Sequence, residues 1–108
     1  MAYVRLTLVH PRAGESERVE DFLRRLSDLC ATQDGHIDSY LLKPQGDSDE
    51  LGRIAIYSDS AAADKAANSD SIMALRSQMD LYIETESHLE RAFTTADAPE
   101  LMAVGRSR

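Results

Sequence analysis

One cysteine in 108 residues, Cys30, leaves no partner for an intrachain disulfide and no second thiol for a CxxC metal or redox pair. It sits in an apolar helical stripe near an expected helix C-terminus, the setting of a small core residue; a reactive thiol needs a nearby cation or a helix N-terminus. Basic residues are also few, 12 Lys and Arg against 19 Asp and Glu, for a formal net charge of -7 and a pI near 4.8. That is the wrong sign for phosphate backbones or anionic lipid, so neither nucleic acid nor a membrane surface is an expected partner. The acids are spread along the chain as a solvated surface. No stretch approaches the ~20 apolar residues of a membrane span. The opening MAYVRLTLVHPRAG lacks the basic start, apolar run and cleavage site of a signal peptide, so a cytoplasmic location is expected. Glycine-rich phosphate loops, dinucleotide fingerprints, nucleophile elbows and internal repeats are missing too, and no nucleotide cofactor is expected.

What is present is a regular alternation of elements. Tyr3 to His10 reads as a strand, with Val4, Leu6 and Leu8 on one face and Tyr3, Arg5 and Thr7 on the other. From Glu15 to Gln33, Val19, Phe22, Leu23, Leu26, Leu29 and Cys30 recur at helical spacing, and Glu20–Arg24 and Asp21–Arg25 form acid-before-base pairs on the opposite face. Asp34-Gly35 stops this helix, Gly35 being suited to a left-handed cap. A second strand spans His36 to Lys43, a polar hairpin loop Pro44 to Glu50, and a third strand Leu51 to Ser58. Ser58, Asp59 and Ser60 are candidate N-caps for a short alanine-rich helix over 61–67. Asn68 to Asp70 break it and start another, in which Ile72, Leu75, Met79 and Tyr82 share a face. A fourth strand is expected over Ile83 to Phe93, with Glu84, Glu86, His88 and Glu90 on one side. Residues 1–94 thus form one domain, and 95–108 a flexible tail without periodicity.

The order β-α-β-β-α-β, with right-handed crossovers, predicts an α+β, ferredoxin-like fold: an antiparallel four-stranded sheet with its helices on one face. The expectation is that Val4, Leu6, Leu8, Ile54 and Ile56 face the helices. Tyr3, Arg5, Thr7, Val9, Arg53, Ala55 and Tyr57 then fall on the other face, which a second subunit would cover in a homodimer packed sheet to sheet.

The order of elements, the helix after a Pro-containing turn, the entry DGHIDSY to the second strand and the run RIAIYSDSAAADKAANSDSIMAL resemble the antibiotic biosynthesis monooxygenase domain, a branch of the dimeric α+β barrel proteins. The resemblance covers roughly residues 3 to 93. It implies a homodimer whose sheets form a barrel, with a ligand pocket in each subunit between sheet and helices. It further implies oxidation of a small phenol or quinol without metal or flavin. An electron-rich aromatic anion can itself reduce oxygen when a dry pocket holds it. Tyr57 stands where the family commonly has a tryptophan, and Ala66 and Ser71 where it has two histidines. The haem-degrading branch, which needs that tryptophan and histidine and an asparagine where this chain has Leu6-Thr7, is not indicated.

Candidate residues follow, each with a plainer use beside the functional one. Tyr57, with Tyr40 and Tyr82, could hydrogen-bond a phenolic oxygen or be half-buried aromatics. His88 is a candidate general base, or an interface residue between Glu86 and Glu90. Arg5 and Arg53 could hold an anionic substrate or pair with Glu84, Glu86 or Glu90. Ile72, Leu75 and Met79 would wall a pocket; Met73 and Met79 also suit core filling. His10 and His36 fall at opposite ends of the sheet, and no metal site is expected. The leading expectation is a cofactor-independent monooxygenase acting on a small aromatic, with catalytic Tyr57 and His88; the alternative is a non-catalytic dimeric module that binds a small apolar ligand.

Overall fold

The structure, a computed structural model, describes residues 2–96. Its elements are β1 (Tyr3–Val9), α1 (Ser16–Cys30), β2 (His36–Leu42), β3 (Leu51–Tyr57), α2 (Ser60–Ala67), α3 (Asp70–Asp80) and β4 (Leu89–Thr94). The strands form one antiparallel sheet in the order β2-β3-β1-β4, the ferredoxin-like arrangement.

Helix α1 buries Val19, Phe22, Leu23, Leu26 and Cys30 and turns its charged face outward, with Glu20–Arg24 at 2.9 Å and Asp21–Arg25 at 3.9 Å. It ends at Cys30 rather than Gln33. The amides of Thr32 and Gln33 bond three residues back, to Leu29 and Cys30, and tighten the chain out of the α-helix. Gly35 then takes a φ of +85, and a Cβ there would lie 2.6 Å from that of Ala62, so both the backbone angle and the contact with α2 require glycine. Asp59 caps α2, its carboxylate accepting from the Ala62 amide at 2.8 Å.

Two expectations are corrected. The sheet is inverted relative to the simplest alternation: Val9, Leu51, Ala55 and Tyr57 pack under the helices with Leu23, Ile72 and Met79, and Arg5, Thr7 and Arg53 point the same way. Val4, Ile54 and Ile56 lie on the helix-free face, where they cluster with Ala2, Ile37 and Tyr40. Leu6 and Leu8 share that face by alternation, as do Leu89 and Phe93 of β4, 41% and 51% exposed, by register. Under the helices Arg5 finds an ionic partner, and Thr7 and Arg53 find hydrogen-bonding ones. The more apolar face is therefore the one that none of the described helices packs against.

The second correction concerns the fourth strand, which starts at Leu89. Ile83 makes only an isolated bridge with Pro11, and Glu86 adopts φ 63, which breaks the extended run. The Glu84 amide donates to the His10 carbonyl and the His10 amide to the Ser87 hydroxyl, anchoring this turn to the end of β1. His88 thus precedes β4 instead of lying within it, and Tyr82 follows α3 instead of belonging to it. At the far end the amide of Thr95, where the tail was expected to begin, donates to the Ala2 carbonyl at 2.9 Å. The remainder of that expected tail, 97–108, lies outside the described residues.

Candidate functional site

Strand register builds the site. Because Thr7 lies opposite both Arg53 and Glu90, and Arg5 and Tyr57 occupy positions of the same parity, β1, β3 and β4 aim all five side chains at the helices. Where α2 gives way to α3, these helices cover them with Ala63, Ala67, Ile72 and Arg76. The enclosed niche left beside Tyr57 has a volume of ≈ 20 Å³, room for about one water molecule. Outside it runs a groove of ≈ 450 Å³ that adds Asp64, Asn68, Met73, Ser77 and Asp80. Arg5, Ala67, Arg76 and Glu90 line both, so the niche is the inner end of the groove.

Charges here are paired in sequence-distant couples. Arg5 binds Asp64 at 3.0 Å, and Arg76 binds Glu90 at 2.9 Å. Glu90 also accepts from the Thr7 hydroxyl at 3.3 Å. His88 stands behind this pair, its Nε2 3.3 Å from the Arg76 guanidinium and its Nδ1 3.5 Å from Asp80. Hydrogen bonding to His88, reinforced by the charge of Arg76, holds the Glu90 carboxyl down at about 2. The same carboxylate raises the imidazole of His88 above its ordinary value, against burial and the nearby Arg76. Burial, and a hydrogen bond with Cys30, push the Tyr57 hydroxyl far above the usual phenol range, so at neutral pH it is a neutral donor and not a base. Arg53 is 8% exposed; its guanidinium donates to the Cys30 sulfur at 3.5 Å, and among the described residues its Nε is buried without a partner, as is the Nε of Arg5.

Of the residues singled out from sequence, Arg5, Arg53, Tyr57 and Ile72 meet in the niche. His88 does not line the groove; it reaches it through Arg76, Glu90 and Asp80. Leu75 and Met79 lie in the core between α3 and α1 and fill the space behind Ile72. Tyr40 is on the opposite sheet face, its hydroxyl donating to Asp38 at 2.9 Å, and Tyr82 stacks on Phe22 with ring centroids 5.7 Å apart. Met73, read as core filler, is half exposed on the wall of the groove. Ala66 is buried beneath α2, and Ser71 is exposed at the start of α3. Sequence reasoning missed Arg76 and Asp64 as site residues, because helical charges ordinarily read as solvated surface; the signal was that each lies on a short helix interrupted directly above the arginine-bearing strands. A second groove of ≈ 390 Å³, between α1 and α3, touches Leu75 and Ser71 but gathers no buried polar groups. Among the described residues no three His, Cys, Asp or Glu side chains are grouped to hold a metal ion, and no helix is long and apolar enough to cross a membrane.

No family model matches the chain, and no curated protein does. Solved structures do match. A variant of SnoaB, described as a cofactor-independent oxygenase from Streptomyces nogalater, aligns with a TM-score of 0.79 at 16% identity, over 89% of this chain and 94% of that one. A Nitrosomonas europaea protein with a provisional assignment as an antibiotic biosynthesis monooxygenase gives 0.79 at 12% identity, over 88% and 90%. The chain has the antibiotic biosynthesis monooxygenase fold. A Mycobacterium tuberculosis protein of the same shape gives 0.78 at 18% identity, over 90% and 97%. In this fold the groove described above lies between sheet and helices, and its polar end includes this chain's own strand residues.

Proposed function

We propose that the chain is a homodimeric, cofactor-independent monooxygenase that acts on a small aromatic such as a quinol or polyketide-type phenol. The observation that carries this reading is the convergence of Arg5, Arg53 and Tyr57 at the inner end of a groove large enough for an aromatic ring. In a simple phenol oxidation, one atom of dioxygen enters the ring as a quinone carbonyl and the other leaves as water; the phenol supplies all four electrons, and its hydroxyl hydrogen and one ring hydrogen end in that water. The protein has to stabilise the electron-rich anion and exclude water. Arg5 and Arg53 supply positive charge and Tyr57 a neutral O–H at the inner end of the groove. His88 acts at one remove, as a positioning residue that holds Arg76 and Glu90. The subunits pair through the apolar sheet face that none of the described helices covers, where Leu89 and Phe93 are exposed beside Val4 and Ile56.

The test is oxygen uptake by the purified, metal-free protein across a panel of quinols and polycyclic phenols. Turnover that falls at least tenfold in Tyr57→Phe supports the assignment; turnover unaffected by that change removes Tyr57 from the site. A second reading, a non-catalytic dimeric binding module, is favoured by the ≈ 20 Å³ size of the niche, which does not admit a ring without movement of Arg76 or Ile72. Saturable binding of those phenols with no oxygen consumed would select it.

A further inference from the structure

Arg53 has no counter-ion. Of the three guanidiniums that line the niche, Arg5 is paired with Asp64 and Arg76 with Glu90; among the described residues no carboxylate comes within 4.0 Å of Arg53. His88 and Asp80, next outward, face each other at 3.5 Å and cancel when the imidazole is protonated. The polar neighbours of Arg53 are the Cys30 sulfur, the hydroxyls of Tyr57 and Thr7 and the His36 ring, none of them a carboxylate. The niche is therefore short of one negative charge at a side chain that is 8% exposed and keeps an unpartnered Nε. A water in the ≈ 20 Å³ space would meet the hydrogen bond but not the charge, and an unpaired buried guanidinium is strongly destabilising.

We propose that the niche receives one oxygen of a monocarboxylate, with Arg53 as its counter-ion and the ligand's apolar or aromatic body in the outer groove. The volumes fit that division, about one oxygen inside and a ring or short chain outside. A carboxylate meets the need better than a phenol, since it is already ionised at neutral pH and forms a charge-assisted hydrogen bond through a single oxygen. Tyr57 and the free Nε of Arg5 complete a set of donors around the bound oxygen. The inference rests on the groove being the ligand site, and narrows its substrates to aromatics that carry a carboxylate.

Calorimetric titration of the full chain with benzoate and with benzyl alcohol, its neutral counterpart of similar shape, tests this. Benzoate should bind at least tenfold more tightly and raise the melting temperature, while benzyl alcohol does neither. Arg53→Met should abolish the difference yet melt no lower than the unliganded parent, because it removes an unpaired charge. Equal or absent binding of the two probes by the parent protein would overturn the proposal whether or not the variant folds. So would a preference that survives in Arg53→Met, or a neutral-pH thiolate absorbance lost in Cys30→Ser, which would make Cys30 the counter-ion. Oxygen uptake is not part of this assay: carboxylate preference without turnover would sink the oxygenase reading alone, and phenol turnover without carboxylate preference would sink this one alone.

Discussion

Replacing Glu90 with glutamine removes one charge from the wall of the groove and keeps its shape, and the structure gives the size and pH profile of the effect. The carboxyl is held from an ordinary 4.5 down at about 2. A shift of that size on a fully shielded group would correspond to about 3.4 kcal/mol at 1.36 kcal/mol per pK unit. The Glu90 side chain is 33% exposed, so screening reduces this to about 1–2 kcal/mol. Because its pKa is depressed by folding, the contribution is present above about pH 4.5 and disappears as pH falls through about 2. His88 runs the other way. Its pKa is raised, so its share is present below about 6.5 and is lost as pH rises through its higher folded value. The parent–variant gap should be widest between about pH 4.5 and 6.5, where both groups are charged, smaller in alkali, and near zero below about pH 2. Urea unfolding should show it as a midpoint lower in the variant by roughly 0.5–1 M at pH 5.5. Proton NMR should place the His88 titration lower in Glu90→Gln than in the parent. A gap of the same size at every pH, or an unmoved His88, would refute the coupling of these groups.

Three other perturbations probe different layers of the molecule. Gly35→Ala puts a Cβ against that of Ala62 in a left-handed backbone; it should cost about 1–3 kcal/mol and lower the melting temperature by at least several degrees in calorimetry. Asp59→Ala removes the cap on α2 and should destabilise by about 0.5–2 kcal/mol, largely recovered in Asp59→Ser. Leu6→Glu places a charge in the centre of the helix-free sheet face and should halve the mass seen by analytical ultracentrifugation while leaving the circular dichroism of the fold in place. A mass unchanged by that substitution would mean that the subunits do not associate through this face.

The sequence by itself determined the number, order and type of the elements. Their signals are local: the helical period of Val19 to Cys30, the stop at Gly35, the caps around Asp59 and the break at Asn68 to Asp70 act within a few residues of chain. Crossover handedness then left few topologies, and the ferredoxin-like sheet followed. Sequence also supplied Arg5, Arg53, Tyr57 and Ile72 as residues to watch. Only the tertiary structure decided which way the sheet faces. Alternation divides a strand into two sets but carries no sign, and the rule that the most apolar set meets the chain's own helices fails when that set is left for another surface. The same holds for the site. Arg76 and Asp64 read as ordinary helical charges, and Glu90 as one acid among several, until strand pairing and the docking of α2 and α3 brought them against Arg5 and Arg53. Arg53 lacks a counter-ion for the same reason: the pairing of buried charges depends on which strands adjoin and which helices cover them, and that information is spread over residues up to about ninety positions apart.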